Sequence, residues 1–530
     1  MISFKHPNLF RPNSPPTSPN PPSRSEPVMV LERTSRPLTK LSFSGFKRTS
    51  SSMSVSSPPP APLVQDGSYL QALGLKLSEA VSKAMVQPTG PVPVGELVGG
   101  RRPIPAGRGR ALGLLIASEL KACQNNPQLH KAILRSLHRP LSVLLSNLSA
   151  LLLPLLSSPA FLSSPAPTVQ APNPNATQLH ALAAAGFAGE LLESFDEMSL
   201  GLDNDARGDG LKAIREGLVS LIGRVVNPLI AAIQSELVPL LESLENPVAV
   251  TVPKTGTKAL HPSIVSLQAL MPVYARALAR YTTTLPSQTT LATFLISIIW
   301  RALVAFANRP QVKPSQPTSP LGSPQLTPLS KRQRATSDNT SLVTPSPTRF
   351  ALKLPPSRPS SPPNISVTPS AAADARALHE LMVLLPRPFA ECDATRVARE
   401  AVDEALSDLT DLATLLENIV NPLFKVGKSR ETILEEIERM TADLPTLIVL
   451  PVLLRSYSRV TNESPPIPPV SSIINVSEDG YRKNCLSGFG RAEQCSSIVG
   501  HSVLDFLHIQ GGLQSLVAQW LANRVDVVDH

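Results

Sequence analysis

The chain has 530 residues, of which 42% are hydrophobic, 4% are aromatic and 56 are proline, and its formal net charge is +9. This length allows about two to four domains, and the apolar fraction is near that of globular proteins. So much proline with so few aromatic residues excludes one uniformly packed globule. The composition predicts Leu- and Ala-rich helices that alternate with Pro/Ser-rich segments too polar to fold.

Taken in order, the chain is predicted to contain six segments. A disordered tail is followed by an isolated helix and a Gly/Pro-rich linker, and a disordered linker separates two helical domains. The segments are 1–66 (tail), 67–87 (helix), 88–108 (Gly/Pro linker), 109–309 (helical domain 1), 310–369 (linker) and 370–527 (helical domain 2). The expected fold class is all-α, with helical-bundle or irregular α-solenoid units that are free to pack together.

The charge is distributed unevenly along these segments. Residues 1–66 have a balance of +5 and residues 310–369 a balance of +6, whereas the helical part of the chain is mildly acidic. Basic segments of this kind are attracted to acidic proteins, anionic lipid or nucleic acid, or they are simply solvated linkers.

The cysteines are too few and too far apart for a disulfide-rich secreted domain. The first residues, MISFKHPNLFRPNSPP, contain no apolar run of the kind found in secretory signals. Both observations predict a protein of the cytoplasm or nucleus that is not secreted and whose thiols are free. The cysteines are Cys123, Cys392, Cys485 and Cys495.

Apolar residues recur at helical spacing in both predicted domains. Residues 287–308 are apolar almost all round, which predicts a helix buried at the centre of the first domain. From Ala398 to Ile419, apolar residues alternate steps of four and three, as in a seam between two helices.

Prolines interrupt several apolar runs. We expect Pro140 to open a new helix, and Pro228 and Pro239 to kink or divide another. Residues 140–163 carry no charge over roughly the length that a bilayer requires. Because serines alternate with leucines there at helical spacing, an amphipathic core helix is favoured over a membrane span. The apolar run around Arg301 is expected to be too short to span.

Two segments resemble ligand-binding motifs but lack residues that binding requires. Residues 427–429, Gly-Lys-Ser, resemble the end of a phosphate-binding loop, but Pro422 occupies the place of the first glycine. An EF-hand-like loop at 203–214 has Arg207 where a calcium ligand is required. Both are predicted to be turns between helices, and no catalytic, cofactor or metal site is expected.

Two further groups of residues have competing interpretations. Cys485, Cys495 and His501 suggest a thiol nucleophile, but no residue to orient the histidine can be assigned, and packing thiols are the alternative. Arginines at 101–102 and 108–110 lie in a Gly/Pro-rich segment without interleaved aromatic residues. Nucleic acid is therefore not the expected partner.

Phosphorylation has the most support from the sequence. Many Ser and Thr residues precede Pro or follow an Arg in chain that is expected to be accessible to kinases. The candidates are Ser50, Ser319, Ser323, Thr327, Ser337, Thr344, Ser346, Ser361 and Thr368. A basic cluster in the same linker, Lys331, Arg332 and Arg334, is a candidate nuclear import signal.

Three stretches resemble helix-rich proteins of filamentous fungi that have no assigned function. They are LMPVYARALARYTTTLPSQTTLATFLISIIWRALVA (270–305), SAAADARALHELMVLLPRP (370–388) and YRKNCLSGFGRAEQCSSIV (481–499). The resemblance implies an intracellular, helix-rich protein and supplies no activity, cofactor or site residue.

The leading hypothesis is a non-enzymatic interaction or scaffold protein whose basic linkers are regulated by phosphorylation. Its expected partners are proteins with acidic surfaces and the kinases that modify it. The alternative is a peripheral membrane or lipid-associated protein that uses the basic tails and residues 140–163 without a spanning helix. An enzyme, a third reading, requires a polar cavity with convergent titratable groups.

Overall fold

Helices make up most of the fold. A computed structural model describes ten stretches of the chain, and these contain fifteen α-helices, one 3-10 turn and two short strands. The stretches are 63–89, 97–165, 174–202, 210–248, 250–252, 259–310, 365–420, 429–460, 467–510 and 515–528. The predicted all-α class is confirmed.

The elements are numbered in chain order. The helices are Leu63–Met85 (α1), Arg108–Ala122 (α2), Pro127–Leu156 (α3), Ala176–Glu197 (α4), Leu211–Glu242 (α5), Pro262–Tyr281 (α6), Leu285–Asn308 (α7), Ala371–Val383 (α8), Asp393–Val420 (α9), Arg430–Thr441 (α10), Thr446–Val460 (α11), Val470–Ile473 (α12), Glu478–Asn484 (α13), Phe489–Ile509 (α14) and Leu516–Val528 (α15). The strands are Val250–Val252 (β1) and Ile365–Val367 (β2), and a 3-10 turn, Ser243–Glu245, follows α5.

Helix α7 lies at the centre of the fold, as its sequence predicts. Fourteen of its residues are buried, and it packs against α4, α5, α9 and α11. A helix that is apolar over most of its circumference requires neighbours on most sides, because exposed apolar surface is unfavourable in water, and only a narrow stripe that includes Thr293 and Arg301 is left polar. Helices from 109–309 and from 370–527 supply this cover together and share one hydrophobic core. This helix of 24 residues is long and apolar enough to cross a membrane by length and composition alone. The expectation that the run around Arg301 is too short to span is therefore wrong.

The N-terminal helix is part of the core rather than isolated as expected. Leu77 is buried, and α1 packs against α2 and α3. The second half of the predicted 88–108 linker is packed too, since a bridge closes the turn at 98–101 and Ile104 is buried. The apolar residues at helical spacing in α1 stabilise the fold only when another surface covers them, and α2 and α3 provide that surface.

Pro140 does not open a new helix as expected, and of the two alternatives for Pro228 and Pro239, division of the helix is excluded. Pro140 lies inside α3, Pro228 and Pro239 lie inside α5, and Pro451 lies inside α11. A proline in a helix interior costs about 3 kcal/mol. Burial of one leucine contributes about 1.5–3 kcal/mol, and α3 buries seven leucines. Packing therefore outweighs the local preference of proline.

The uncharged segment 140–163 contributes a buried stripe to the core. Leu144, Leu148 and Leu152 are fully buried, and α3 packs against α1, α4 and α5. Three helices are long and apolar enough to cross a membrane by length and composition alone, namely Pro127–Leu156, Leu211–Glu245 and Leu285–Asn308.

The C-terminal end of the predicted central linker forms a strand. β2 pairs with β1 in antiparallel orientation, with Val250 opposite Val367. The residues of this strand include β-branched side chains, which favour extended backbone, and the expectation of disorder over 310–369 stays a prediction. The predictions for 311–364 and for 1–62 fall outside the residues that the structure describes.

A buried ion pair joins the end of α7 to α8. Arg309 donates to the Asp374 carboxylate with an Nη1–Oδ2 distance of 2.6 Å, and the two side chains are 2% and 0% exposed. Asp374 also accepts from the backbone N–H of His261 at 2.9 Å, and Arg309 donates to the Pro369 carbonyl at 3.2 Å. Because each charge has more than one partner, the pair tolerates burial.

Other polar contacts tie the same two halves of the chain together. Trp300 on α7 donates its indole N–H to the Leu486 carbonyl at 2.7 Å. Arg482 on α13 binds Glu245 with both terminal nitrogens, at 2.8 and 2.6 Å. These contacts fix α13 and the start of α14 against the N-terminal helices.

Replacement of Ile298 by Asp tests the role of α7. Ile298 is fully buried, so an unpaired carboxylate there costs well over the typical ~1 kcal/mol of a point mutation. We expect a large fall in the melting temperature followed by circular dichroism. Val265→Asp on α6 is the matched control, because Val265 is 55% exposed. Equal effects of the two substitutions would contradict a central α7.

Removal of Asp374 tests the buried ion pair. Asp374→Ala leaves the Arg309 guanidinium buried without its partner, and we expect a loss of about 3–5 kcal/mol in the free energy of unfolding. The double variant Arg309→Met/Asp374→Leu leaves no unpaired charge and should recover much of this loss, as measured by denaturant titration. A double variant that is less stable than Asp374→Ala would show that the pair does not act as a unit.

Candidate functional site

A cavity lies where α9, the turn between α10 and α11, and helices α14 and α15 meet. Its volume is about 750 Å³, which is within the usual range of ligand sites. Its apolar wall includes Ile296 from the central helix α7, together with Phe489 and Trp520. Small residues, Ala401, Ala405 and Ala442, line the rest and leave the space open. We call it the acidic cavity.

Carboxylates dominate the polar lining of the acidic cavity. Five of them come from α9, α10, the following turn and α14, against one arginine, Arg524 of α15, among the described residues. They are Glu404, Asp408, Glu438, Asp443 and Glu493. Like charges around a concave apolar wall add their fields, so the cavity attracts cations.

Asp408 is the unusual member of this group. It is only 3% exposed, and its Oδ1 atom has no hydrogen-bond partner within the described part of the chain. Burial raises the pKa of Asp408 to about 7, and the nearby charges of Glu404, Asp411 and Asp443 add to this shift. A buried polar atom without a partner is rare and costly in a folded protein. The arrangement therefore leaves an acceptor for a ligand.

Two of the other charged groups at the cavity, Glu438 and Arg524, already have partners. Glu438 accepts from the Asn523 amide at 2.6 Å. Arg524 donates to the Leu444 and Ala442 carbonyls at 3.2 and 3.1 Å and lies over the Trp520 ring. The arginine thus supports the turn between α10 and α11 rather than neutralising Asp408.

Trp520 is held rigidly at the base of the cavity. Its ring is fully buried, and its indole N–H donates to the Thr441 hydroxyl at 2.9 Å. Thr441 in turn donates to the Ile437 carbonyl at 2.7 Å. This chain of hydrogen bonds joins α15 to α10 and fixes one wall of the site.

Most of the predicted phosphorylation sites lie outside the described residues, as does the basic cluster of Lys331, Arg332 and Arg334. The described one is Thr368, which is half-buried beside Pro369, the residue whose carbonyl accepts from Arg309. The phosphorylation of Thr368 stays a prediction.

The structure places Cys485 beside Cys495 but does not give it the properties of a nucleophile. All four cysteines are free. Burial and the neighbouring Cys495 raise the pKa of the Cys485 thiol to about 11, whereas a nucleophilic thiol requires a lowered pKa. His501 makes a hydrogen bond of 2.9 Å through Nδ1 with the Ser497 carbonyl, one turn earlier in its own helix. The packing interpretation of these cysteines is favoured.

The remaining motifs have structural roles where they are described. Ser429, the last residue of the Gly-Lys-Ser motif, caps α10 by accepting from the backbone N–H of Thr432 at 3.3 Å. Arg108 donates to the Ala84 carbonyl at 2.8 Å, which ties α2 to the end of α1. Residues 421–428 and 203–209 lie outside the described stretches. Within those stretches, no group of three His, Cys, Asp or Glu residues could hold a metal ion.

Sequence reasoning missed the acidic cavity. Its carboxylates lie on four separate elements and have no common spacing. One local signal was present: Asp408 lies directly beside Leu409 in the apolar seam of α9, with small residues at Ala401 and Ala405. A carboxylate at the edge of such a seam indicates a polar group that the packing must accommodate.

Comparison with protein-family models, with curated proteins and with solved structures found no match for this chain. The site must therefore be interpreted from its own geometry. The resemblance of 270–305, 370–388 and 481–499 to fungal proteins stays a prediction.

The titration of Asp408 predicts a stability effect that depends on pH. Its pKa is raised to about 7 in the folded chain, whereas an unfolded aspartate titrates near pH ~4. Asp408 therefore takes stability away as the pH rises from about 4 to 7, and the full penalty is present above pH ~7. We expect Asp408→Asn to stabilise the protein at pH 8 by about 2 kcal/mol or more and to have little effect at pH 4.

Thermal unfolding at the two pH values measures this difference. Asp505→Asn on α14, an exposed site, is the control and should have little effect at either pH. The same shift in melting temperature for Asp408→Asn at pH 4 and pH 8 would show that Asp408 titrates normally.

Proposed function

We propose that this chain is a non-enzymatic interaction protein that binds basic segments of protein partners in the acidic cavity. The observation that carries the proposal is the buried Asp408 carboxylate, which has an unpartnered oxygen in a cavity where acidic side chains outnumber the one arginine. A cationic side chain would supply the missing partner, and hydrogen bonds between ions are about twice as strong as neutral ones. The apolar wall of Phe489 and Trp520 would cover the stem of that side chain.

Phosphorylation is the proposed regulation, as the Ser/Thr-Pro pattern of the basic linker suggests. A phosphate adds about −1.5 to −2 to the local charge. Two phosphates on residues 327–338, TPLSKRQRATSD, would reverse the net charge of +2 of this stretch. This stretch serves as a model of a partner's basic segment, and a segment phosphorylated in the same way would be repelled by the acidic cavity.

Two other functions have some support. The raised pKa of Asp408 is also what acid–base catalysis requires. Binding is preferred because all five carboxylates favour one kind of ligand, a cation. A peripheral membrane protein that uses residues 140–163 remains the alternative on sequence grounds. The burial of Leu144, Leu148 and Leu152 supports the interaction protein instead.

Peptide binding to the full-length protein tests the proposal. The probe is a fluorescent peptide of residues 327–338, and its control has Lys331, Arg332 and Arg334 replaced by Ala. We expect the basic peptide to bind at low salt, and affinity to fall as salt rises because the contacts are ionic. The control peptide and a peptide phosphorylated at Thr327 and Ser337 should bind at least tenfold more weakly.

A matched pair of protein variants locates the binding. Glu404→Gln/Asp443→Asn removes two charges from the cavity, whereas Glu431→Gln/Glu435→Gln removes two from the exposed face of α10. We expect the first variant to weaken peptide binding at least fivefold and the second to change it little, in fluorescence anisotropy titrations. Equal effects of the two variants, or no binding of the basic peptide, would overturn the proposed function.

A further inference from the structure

The acidic cavity has features that specify its ligand more closely than net charge does. Four of its carboxylates, those of Glu404, Glu438, Asp443 and Glu493, are only partly covered or exposed, whereas Asp408 is buried at the α9 wall. Exposed carboxylates act on any cation at long range and are weakened by salt. A buried carboxylate acts at contact distance, where solvent screens little. The exposed carboxylates therefore attract a cationic segment, whereas the buried Asp408 contacts one cationic group directly.

Resting on the proposed function, we propose that Asp408 is the specificity-determining residue of the cavity: it receives one lysine or arginine side chain of the bound segment, and it gives up its proton when that side chain binds. The four exposed or partly covered carboxylates attract the segment, and Asp408 selects the side chain that enters the cavity. One cationic group enters the cavity and contacts Asp408.

The charges around Asp408 explain why a proton occupies it before the ligand does. On its own helix it faces Glu404 and Asp411, and across the cavity it faces Glu438 and Asp443 of the α10 end and its turn, Glu493 of α14 and Arg524 of α15. Helix α7 contributes only the apolar Ile296 to this wall. Burial disfavours the bare carboxylate, and the surrounding negative charges disfavour it further. A proton or a cation relieves both costs.

The exchange is balanced in charge and in atoms. In the free protein below pH ~7 the Asp408 carboxyl holds its proton. When an ammonium or guanidinium group enters, that proton passes to the buffer, and the carboxylate accepts hydrogen bonds from the cation. No bond to carbon forms or breaks, and no cofactor is required. Binding and proton release are thereby linked.

The linkage predicts how affinity changes with pH. Because each binding event releases a proton below the pKa of Asp408, affinity should rise about tenfold between pH 6 and pH 8 and level off above that. The same linkage predicts release of nearly one proton at pH 6 and almost none at pH 8. The peptide 327–338, acetylated at its N-terminus, contains no group that titrates in this interval.

The test is calorimetric titration of the full-length protein with this peptide at pH 6, 7 and 8, in buffers with different ionisation enthalpies. Wild type should show the tenfold rise in affinity and the proton release. Asp408→Asn should bind more weakly at pH 8 and show neither. Glu404→Gln/Asp443→Asn should bind more weakly at every pH but keep at least a threefold rise.

Single replacements in the peptide identify the inserted side chain. Among Lys331→Ala, Arg332→Ala and Arg334→Ala, one should remove both affinity and the dependence on pH, while the other two only weaken binding. Spermine, a small polyamine, serves as the competitor that is not a protein segment. Tighter binding of spermine than of the peptide would overturn the assignment of a protein segment as ligand.

The outcomes separate this inference from the proposed function. If the peptide binds through the cavity but its affinity does not change with pH, or if Asp408→Asn keeps the pH dependence of wild type, the role of Asp408 is wrong and the proposed function stands. If the peptide does not bind at any pH, both are wrong. Circular dichroism of Asp408→Asn confirms that the variant is folded, which its expected gain in stability at pH 8 favours.

Discussion

The fold depends on one constraint, the need to cover a helix that is apolar over most of its surface. Helix α7 buries residues over most of its circumference, including Phe294, Ile298 and Leu303. No single layer of helices can cover such an element, so α5 and α4 pack on one part of it and α9 and α11 on another. Helices that lie far apart in sequence are thereby brought into one core.

Polar contacts then fix how the two sets of helices meet around α7. The buried pair of Arg309 and Asp374 stands at its C-terminal end, and the Trp300 indole is anchored to the Leu486 carbonyl. Burial of an ion pair is a poor source of stability, but loss of one partner is severe. These contacts therefore join the two sets of helices at defined positions along α7.

The acidic cavity is a consequence of this packing. α9 rests on α7, and α14 is tied to α7 through Trp300, whose ring lies 4.6 Å from that of Phe489. Between them, small residues on α9 leave a space that α15 closes with Trp520. Asp408 is held in this space by the backbone of a well-packed helix. A site on rigid helices keeps its geometry without a ligand, which reduces the entropy cost of binding.

The sequence predicts the helices well because their apolar residues repeat at a period that a helix alone satisfies. The seam from Ala398 to Ile419 and the apolar segment 287–308 both correspond to helices, α9 and α7. It predicts helix ends poorly at proline, since the local cost at Pro140 is offset by distant leucines that no local pattern reveals. The packing of α1 is also not predicted, because the composition of its flanking segments indicates an isolated helix and no local pattern shows which surface covers it.

The site could not be predicted from the sequence, for a related reason. Asp408 looks like one more acidic residue beside a helical seam until Glu438, Asp443 and Glu493 are placed around it. Its buried position, its unpartnered oxygen and its raised pKa are properties of the tertiary structure. The linker charges were visible in the sequence, but the acidic surface that complements them was not.

Hydrogen exchange of the full-length protein, with and without the basic peptide 327–338, tests the central claim most directly. The account predicts slower amide exchange on binding in 438–446 and 489–496, the segments that surround Asp408, and unchanged exchange in α3 and α5. Protection that appears elsewhere on the helical body, with none in these two segments, would contradict the claim that the acidic cavity is the binding site.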